Sequence, residues 1–360
     1  MSTASRDQDT LTDVEAGQPE DAGWRVDDRR RRLQLVLAAL WLLDAMLQGQ
    51  SFMFSAGFAR MIEAAARGSP SLVVGPGDWA ARVVGQHPVA TNLAFVAVQV
   101  LLAIGIAWRP TVKFALALSI PWSLAVWWLG EGLGGVLTPG ANPVTGAPGA
   151  VILYALLAIV LWPADRAPDR ADDRAHDPDG TRPAAFPAAD AIGVPAARAV
   201  WLALWCGLAW FAAASVSQAA LALPNAISAL AAGQPRWLAA TDDTVAGLIS
   251  GHQIAVAVTL AVLLVIIAVG PFLPASGART ALALAIVVAL VTWVVGQDFG
   301  GILTGTGTDP GTGALLVLLA AAYWPAAPGV VPAQAGGPDL RPTRPGWAAP
   351  WLSGRSGRTT

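Results

Sequence analysis

Long apolar runs alternate along this chain with short polar breaks. Apolar stretches extend from Leu33 to about Phe54, from about Val89 to Trp108, from Thr111 to Leu129 and, shorter, from Gly149 to Trp162. After a polar interval the pattern recurs, from about Ala197 to Ala222, Gln253 to Leu273, Thr280 to Val295 and Gly311 to Trp324. An α-helix rises about 1.5 Å per residue, so about 20 such residues cross a hydrocarbon core of about 30 Å. The pattern predicts an all-α, polytopic membrane protein of eight transmembrane helices, built as two four-helix bundles with short interfacial helices in the outer loops. The expected boundaries are a polar tail over 1–32, a first membrane unit over 33–163, a disordered charged linker over 164–196, a second unit over 197–326 and a Pro/Arg-rich tail over 327–360.

The recurrence extends to individual residues. Gly130-Glu-Gly-Leu-Gly-Gly-Val-Leu-Thr138 matches Gly296-Gln-Asp-Phe-Gly-Gly-Ile-Leu-Thr304, and Asn142-Pro-Val-Thr-Gly146 matches Asp309-Pro-Gly-Thr-Gly313. Gly68, Pro70, Asp78, Ala81 and His87 pair with Gly233, Pro235, Asp243, Ala246 and His252, each 165 positions on. A tandem duplication is expected. An even number of helices per unit gives both copies the same orientation, a parallel repeat and not an inverted one.

Composition agrees with a bilayer as solvent: 55% hydrophobic residues and only 13% charged. The soluble average is about 25% charged. With the amino terminus cytoplasmic, 18 of the 22 Lys and Arg fall inside and only Arg60, Arg67, Arg82 and Arg236 outside. The positive-inside rule then places both termini in the cytoplasm of a cell-membrane protein. Basic residues form no single face, which sets nucleic acid aside as a partner. One cysteine, Cys206, rules out a disulfide framework or a Cys-ligated metal centre within one chain.

Polar residues kept in both copies are the first candidates for chemistry. Asp78 and Asp243 are read as N-caps of short interfacial helices that lead to His87 and His252, whose imidazoles titrate near neutral pH. The glycine-rich outer loops carry Glu131 and Asn142 in one copy, Gln297, Asp298 and Asp309 in the other. Such loops allow close backbone approach and could dip into the bundle beside a fourth helix too short to span alone. Together these residues form a candidate outer-face site, built twice. Asp44, Gln48 and Ser51 fall at helical spacing on the first helix as a candidate intramembrane stripe; the second copy has Leu208 and Ala212 at the first two places. An ionisable group at that depth must face protein or water. No set with convincing metal-ligand spacing is present.

Each half resembles the DoxX/DoxD-like group of small four-helix membrane proteins. The likeness lies in the unit's size, its long first outer loop and the segment Val98-Gln-Val-Leu-Leu-Ala-Ile-Gly-Ile-Ala-Trp-Arg-Pro110. A Glu near Gln99 and a basic residue after the first helix, both expected from the resemblance, are absent as such. Some members are subunits of thiosulfate:quinone oxidoreductases, so the resemblance implies an accessory subunit of a membrane redox or envelope complex that holds a quinone or lipid. The competing expectation is a small-solute transporter or channel running between the two units.

Overall fold

The computed structural model describes residues 21–163, 186–218 and 222–325. Among these residues every element is helical and no strand occurs. The first series is α1 (Asp21–Gln48), a 3-10 turn, α2 (Ala56–Ala65), α3 (Ser71–Gln86), α4 (Pro88–Ala107), a second 3-10 turn, α5 (Val112–Leu129), a third 3-10 turn and α6 (Ala150–Val160). A short helix, α7 (Pro187–Ile192), comes next. Then α8 (Val194–Ala214), α9 (Ala222–Leu230), α10 (Arg236–Ile249), α11 (Gln253–Val269), α12 (Ala275–Val295) and α13 (Gly311–Tyr323) follow, with 3-10 turns at the same places. Packing follows the same scheme in both series: α1 lies on α4 as α8 lies on α11, α2 on α3 as α9 on α10, and α5 on α6 as α12 on α13. The two short apolar helices, α6 and α13, also pack on each other.

Five segments are long and apolar enough to cross a membrane, the architecture of a multi-pass membrane protein: Pro88–Ala107, Arg109–Leu129, Val194–Ser217, Gln253–Phe272 and Ala275–Thr304. Their outward faces carry exposed large apolar side chains, such as Leu93, Leu101 and Ile104 on α4 and Val258, Val262 and Ile266 on α11. In water such faces would be costly; against lipid they are matched to their solvent.

Three boundaries differ from the sequence expectation. The helix expected from Leu33 begins at Asp21 and stops at Gln48, so residues 21–32 extend a helix rather than form a tail. The apolar residues that follow turn aside: Met53 packs with Phe58, Ile62, Ala81 and Val84 to make the core of the α2–α3 hairpin. Within the expected linker, 164–185 lies outside the described residues, but 186–196 is ordered. Phe186 stacks on Tyr323 with ring centroids 5.4 Å apart, and Arg30 meets Asp190 at 3.6 Å. A short apolar patch, Phe186 to Ala189, supplies enough burial to fix the segment. Residues 1–20 and 326–360, the remainder of both expected tails, lie outside the described residues.

Helix ends are where an apolar setting is least forgiving, because their free carbonyls have no water to turn to. Proline sharpens this need, since it lacks the amide that would serve the carbonyl four residues earlier. Pro110 leaves Ile106 O to Arg31, which donates from Nη1 at 2.9 Å. Pro325 leaves Ala321 O to Arg29 at 3.1 Å, and the same guanidinium reaches Trp324 O at 2.8 Å. Pro271 leaves Ile267 O to the amide of Gly270 and to the indole of Trp201, at 2.9 Å. Gln34 Nε2 serves Leu161 O at the end of α6 at 2.9 Å. The arginine run that the positive-inside rule reads as a topological signal is therefore also a set of helix C-caps, the placement that the helix dipole favours.

Trp201→Phe keeps most of the buried ring and removes only the donor to Ile267 O. It should lower stability by about 1–3 kcal/mol. Thermal unfolding in detergent, followed by near-UV circular dichroism, checks this; an unchanged midpoint would show that the indole bond contributes nothing.

Candidate functional site

The glycine loops after α5 and α12 adopt one conformation. Leu133, Gly134 and Gly135 have φ of 58°, 59° and 70°, and Phe299, Gly300 and Gly301 have 57°, 76° and 69°. Such a left-handed run suits glycine. The middle glycine is also held by contact, because a Cβ at Gly134 would lie 1.9 Å from Pro148 O and one at Gly300 2.4 Å from Asp309 O. The loop is pressed against the start of the next helix, and the residue before it supplies what that helix needs. Glu131 accepts from Val151 N at 3.3 Å at the head of α6, and Gln297 Oε1 accepts from Thr312 N at 2.8 Å and Gly313 N at 3.3 Å at the head of α13. Trp127 donates to Pro148 O at 2.6 Å and Trp293 to Pro310 O. Each short helix thus receives an acceptor for its free amides from a side chain many residues away.

A cavity of about 830 Å³ opens beside the first of these loops. Its wall takes Trp41, Asp44 and Gln48 from α1, Phe95 and Gln99 from α4, Trp122 and Val126 from α5, and Glu131 from the loop. The other side comes from later in the chain: Gln234, Asp298 and residues 306–309, including Asp309. Gln50 Nε2 reaches Gly307 O across this boundary at 3.3 Å. Among the described residues four carboxyl groups line the wall, and no Lys, Arg or His does. Asp44 is 2% exposed, and its Oδ1 has no hydrogen-bond partner. The same holds for Gln99 Oε1, Gln234 Oε1 and the indole nitrogens of Trp41 and Trp122. Buried polar atoms are almost always paired, so several unpaired ones around one space mark a place where something else supplies the partners. Below it, Trp41 packs on Tyr154 with centroids 4.3 Å apart, above the fully buried Leu37, Leu153 and Leu157.

The expected site residues therefore divide. Asp44, Gln48, Glu131, Asp298 and Asp309 come together on this one wall. His87 and His252 stand where expected, at the head of α4 and α11, but are exposed and away from the cavity. Asp78 and Asp243 sit within α3 and α10, whose N-caps are Pro70 and Pro235, so neither is the cap that the sequence suggested. Asn142 is buried in its own turn, accepting from Val144 N at 2.9 Å. Ser51 is exposed at the start of a 3-10 turn. Gln48 also ties α1 to α4, donating to Asn92 Oδ1 while Asn92 Nδ2 donates to Gln48 O at 2.8 Å. Among the described residues no group of three or more His, Cys, Asp or Glu could hold a metal ion.

The place corresponding to this cavity in the second series is closed. A void of only about 10 Å³ is lined there by Thr292, Leu316, Pro143 and a set of six: Trp205, Leu208, Leu260, Leu264, Val288 and Ala289. The six stand 164 to 166 positions after Trp41, Asp44, Phe95, Gln99, Trp122 and Ser123, whereas Pro143 comes from the first loop. The site is built once. Leucine and valine occupy the positions of Asp44, Phe95, Gln99 and Trp122, while Trp205 keeps the indole of Trp41.

Sequence reasoning missed Gln99, Trp41 and Asp242. Asp242 is 0% exposed on the inner face of α10, between Leu238 and Ala246. Its helical spacing with those two residues was the available signal; matching at 165 positions selected the exposed Asp243 instead. Asp242 faces Asp298, and the two carboxyls share a hydrogen bond, with Gln234 as a further partner of Asp298. Burial, then the Asp298 charge and their shared hydrogen bond, raise Asp242 from 3.8 to about 7. Burial likewise raises Glu131 and Asp309. Comparison with protein-family models, curated proteins and solved structures gives no match to this chain.

Because the folded state holds the Asp242 proton more tightly than the unfolded chain, its contribution to stability is full below about pH 4 and lost as pH rises through about 7. The thermal midpoint in detergent should fall across that window, and Asp242→Asn should flatten the fall; an equal slope in the variant would contradict the pairing. At the loop, Glu131→Gln should keep the helix cap, as Gln297 does, whereas Glu131→Ala should cost about 0.5–2 kcal/mol. Equal midpoints for the two variants would show that the cap contributes nothing.

Proposed function

We propose that this chain is an eight-helix membrane protein, duplicated from a four-helix unit with both termini cytoplasmic, whose first unit holds a small amphipathic molecule. The observation that carries the reading is the cavity of about 830 Å³ walled by unpaired buried polar atoms, a size that suits a small-molecule site. The repeated order of elements, the matched loop conformations and the matched caps support duplication. α1, α6 and α13 complete the count of eight, the last two as partial crossings closed by their loops. In this reading one copy keeps the site and the other has filled its counterpart with Leu208, Leu260 and Leu264.

Binding fits better than transport, because Trp41, Tyr154 and the leucines below them leave no polar route onward from the cavity. A role as an accessory subunit, as the DoxX-like resemblance implies, is compatible with such a closed pocket. A quinone is favoured by one feature: the unpaired indoles of Trp41 and Trp122 could donate to ring carbonyls. Gln99, where the resemblance would place a Glu, lies on the same wall.

Native purification followed by mass spectrometry of bound small molecules tests the binding reading. A stoichiometric molecule lost on substituting Asp44→Leu is expected; a protein that carries nothing beyond bulk lipid would contradict it. Topology is tested separately. In a Cys206→Ser background, His87→Cys and His252→Cys should both react with a membrane-impermeant thiol reagent applied from outside, and Ser276→Cys should not.

A further inference from the structure

We infer that the cavity selects an organic cation, a protonated or quaternary amine carrying an apolar body; this rests on the ligand-binding reading above. Asp44, Glu131, Asp298 and Asp309 share one wall without a single basic residue among its lining. Burial favours the neutral form of these carboxyls; a bound cation offsets that cost and draws them to the ionised form, whereas an anion finds no counter-charge among the described residues of the wall. A small multivalent metal ion is poorly served, since no ligand group of three forms among the described residues. The rest of the wall suits the apolar body. Phe58 meets Phe95 edge-on at 6.5 Å and Phe95 meets Trp122 edge-on at 5.7 Å, and with Trp41 these rings offer the π faces that attract cations. Asp44 is nine-tenths buried or more and lines the space; Tyr154 lies beside its carboxyl as a hydrogen-bond partner, and Oδ1 is left unpaired.

The second series acts as an internal control. It builds the same arrangement of helices with Leu208, Leu264 and Val288 at the positions of Asp44, Gln99 and Trp122. The fold therefore does not require the acid or the amide there, nor the indole of Trp122; the indole of Trp41 has its counterpart in Trp205. The concentration of Asp44, Gln99 and Trp122 on one side of the molecule is left for recognition to explain.

The test uses two probes of nearly equal size and opposite charge, tetraphenylphosphonium and tetraphenylborate, with decylubiquinone as a neutral third. Each is titrated against the full-length protein in phosphatidylcholine nanodiscs, reading tryptophan fluorescence with empty discs subtracted. The phosphonium should saturate, the borate should not, and affinity for the phosphonium should fall at least tenfold in Asp44→Asn and in Glu131→Gln. The second variant keeps the cap on α6, so its loss of affinity cannot be attributed to misfolding. Borate binding as well as phosphonium, or affinity unchanged in both variants, overturns the charge inference and leaves the binding reading standing. So does saturation by the quinone alone. No saturation by any probe overturns both.

Discussion

Backbone groups at helix ends must find partners inside the protein when the surroundings are hydrocarbon, and the rest of this structure depends on that constraint. α6 has 11 residues and α13 has 13, lengths of about 16–20 Å, well short of a hydrocarbon core of about 30 Å. Both ends of each short helix are met by side chains from elsewhere in the chain. Their heads are met by Glu131 and Gln297, and their tails by Gln34 and Arg29. The left-handed glycine loops bring the two acceptors, Glu131 and Gln297, within reach, and the first turns of α1 bring the two donors, Gln34 and Arg29.

Once the helix ends are closed, the bundle interior is free to vary. The two comparable interior spaces differ in kind: one open and rimmed by carboxyls and aromatic rings, the other closed by leucine, valine and alanine around Trp205 and Thr292. Each is also bordered by the loop of the opposite series, residues 306–309 at the open space and Pro143 at the closed one. Gln50 to Gly307 and Gln218 to Pro139 are the matching bonds that hold these crossed loops. The series thus lean on each other at the level of the loops, which explains why Asp309 contributes to a cavity built mainly from residues before 150.

The all-helical class and the long apolar helices were legible in the sequence, because hydrophobic period leaves a direct mark; five of the expected eight crossings are long and apolar enough to span among the described residues. The stripe of Asp44 and Gln48 was legible for the same reason. The histidines misled. His87 and His252 recur together at helix boundaries, and recurrence there reflects the turn between an interfacial helix and a long one, where an exposed polar residue is tolerated. What could not be read was which copy retains a cavity. That depends on the joint volumes of Phe95, Gln99 and Trp122 against Leu260, Leu264 and Val288 across three helices, and no local pattern reports a volume.

The central claim is that the polar wall of the open cavity serves a ligand and not the fold. The most direct measurement is the thermal midpoint of the ligand-free double variant Asp44→Leu, Gln99→Leu, which gives the first series the residues of the second. Replacing buried polar groups by well-packed apolar ones is often neutral or stabilising, so a midpoint equal to or above that of the parent is predicted. A large drop, or failure to fold, would mean that Asp44 and Gln99 hold the bundle together and that their unpaired atoms signify nothing about a ligand.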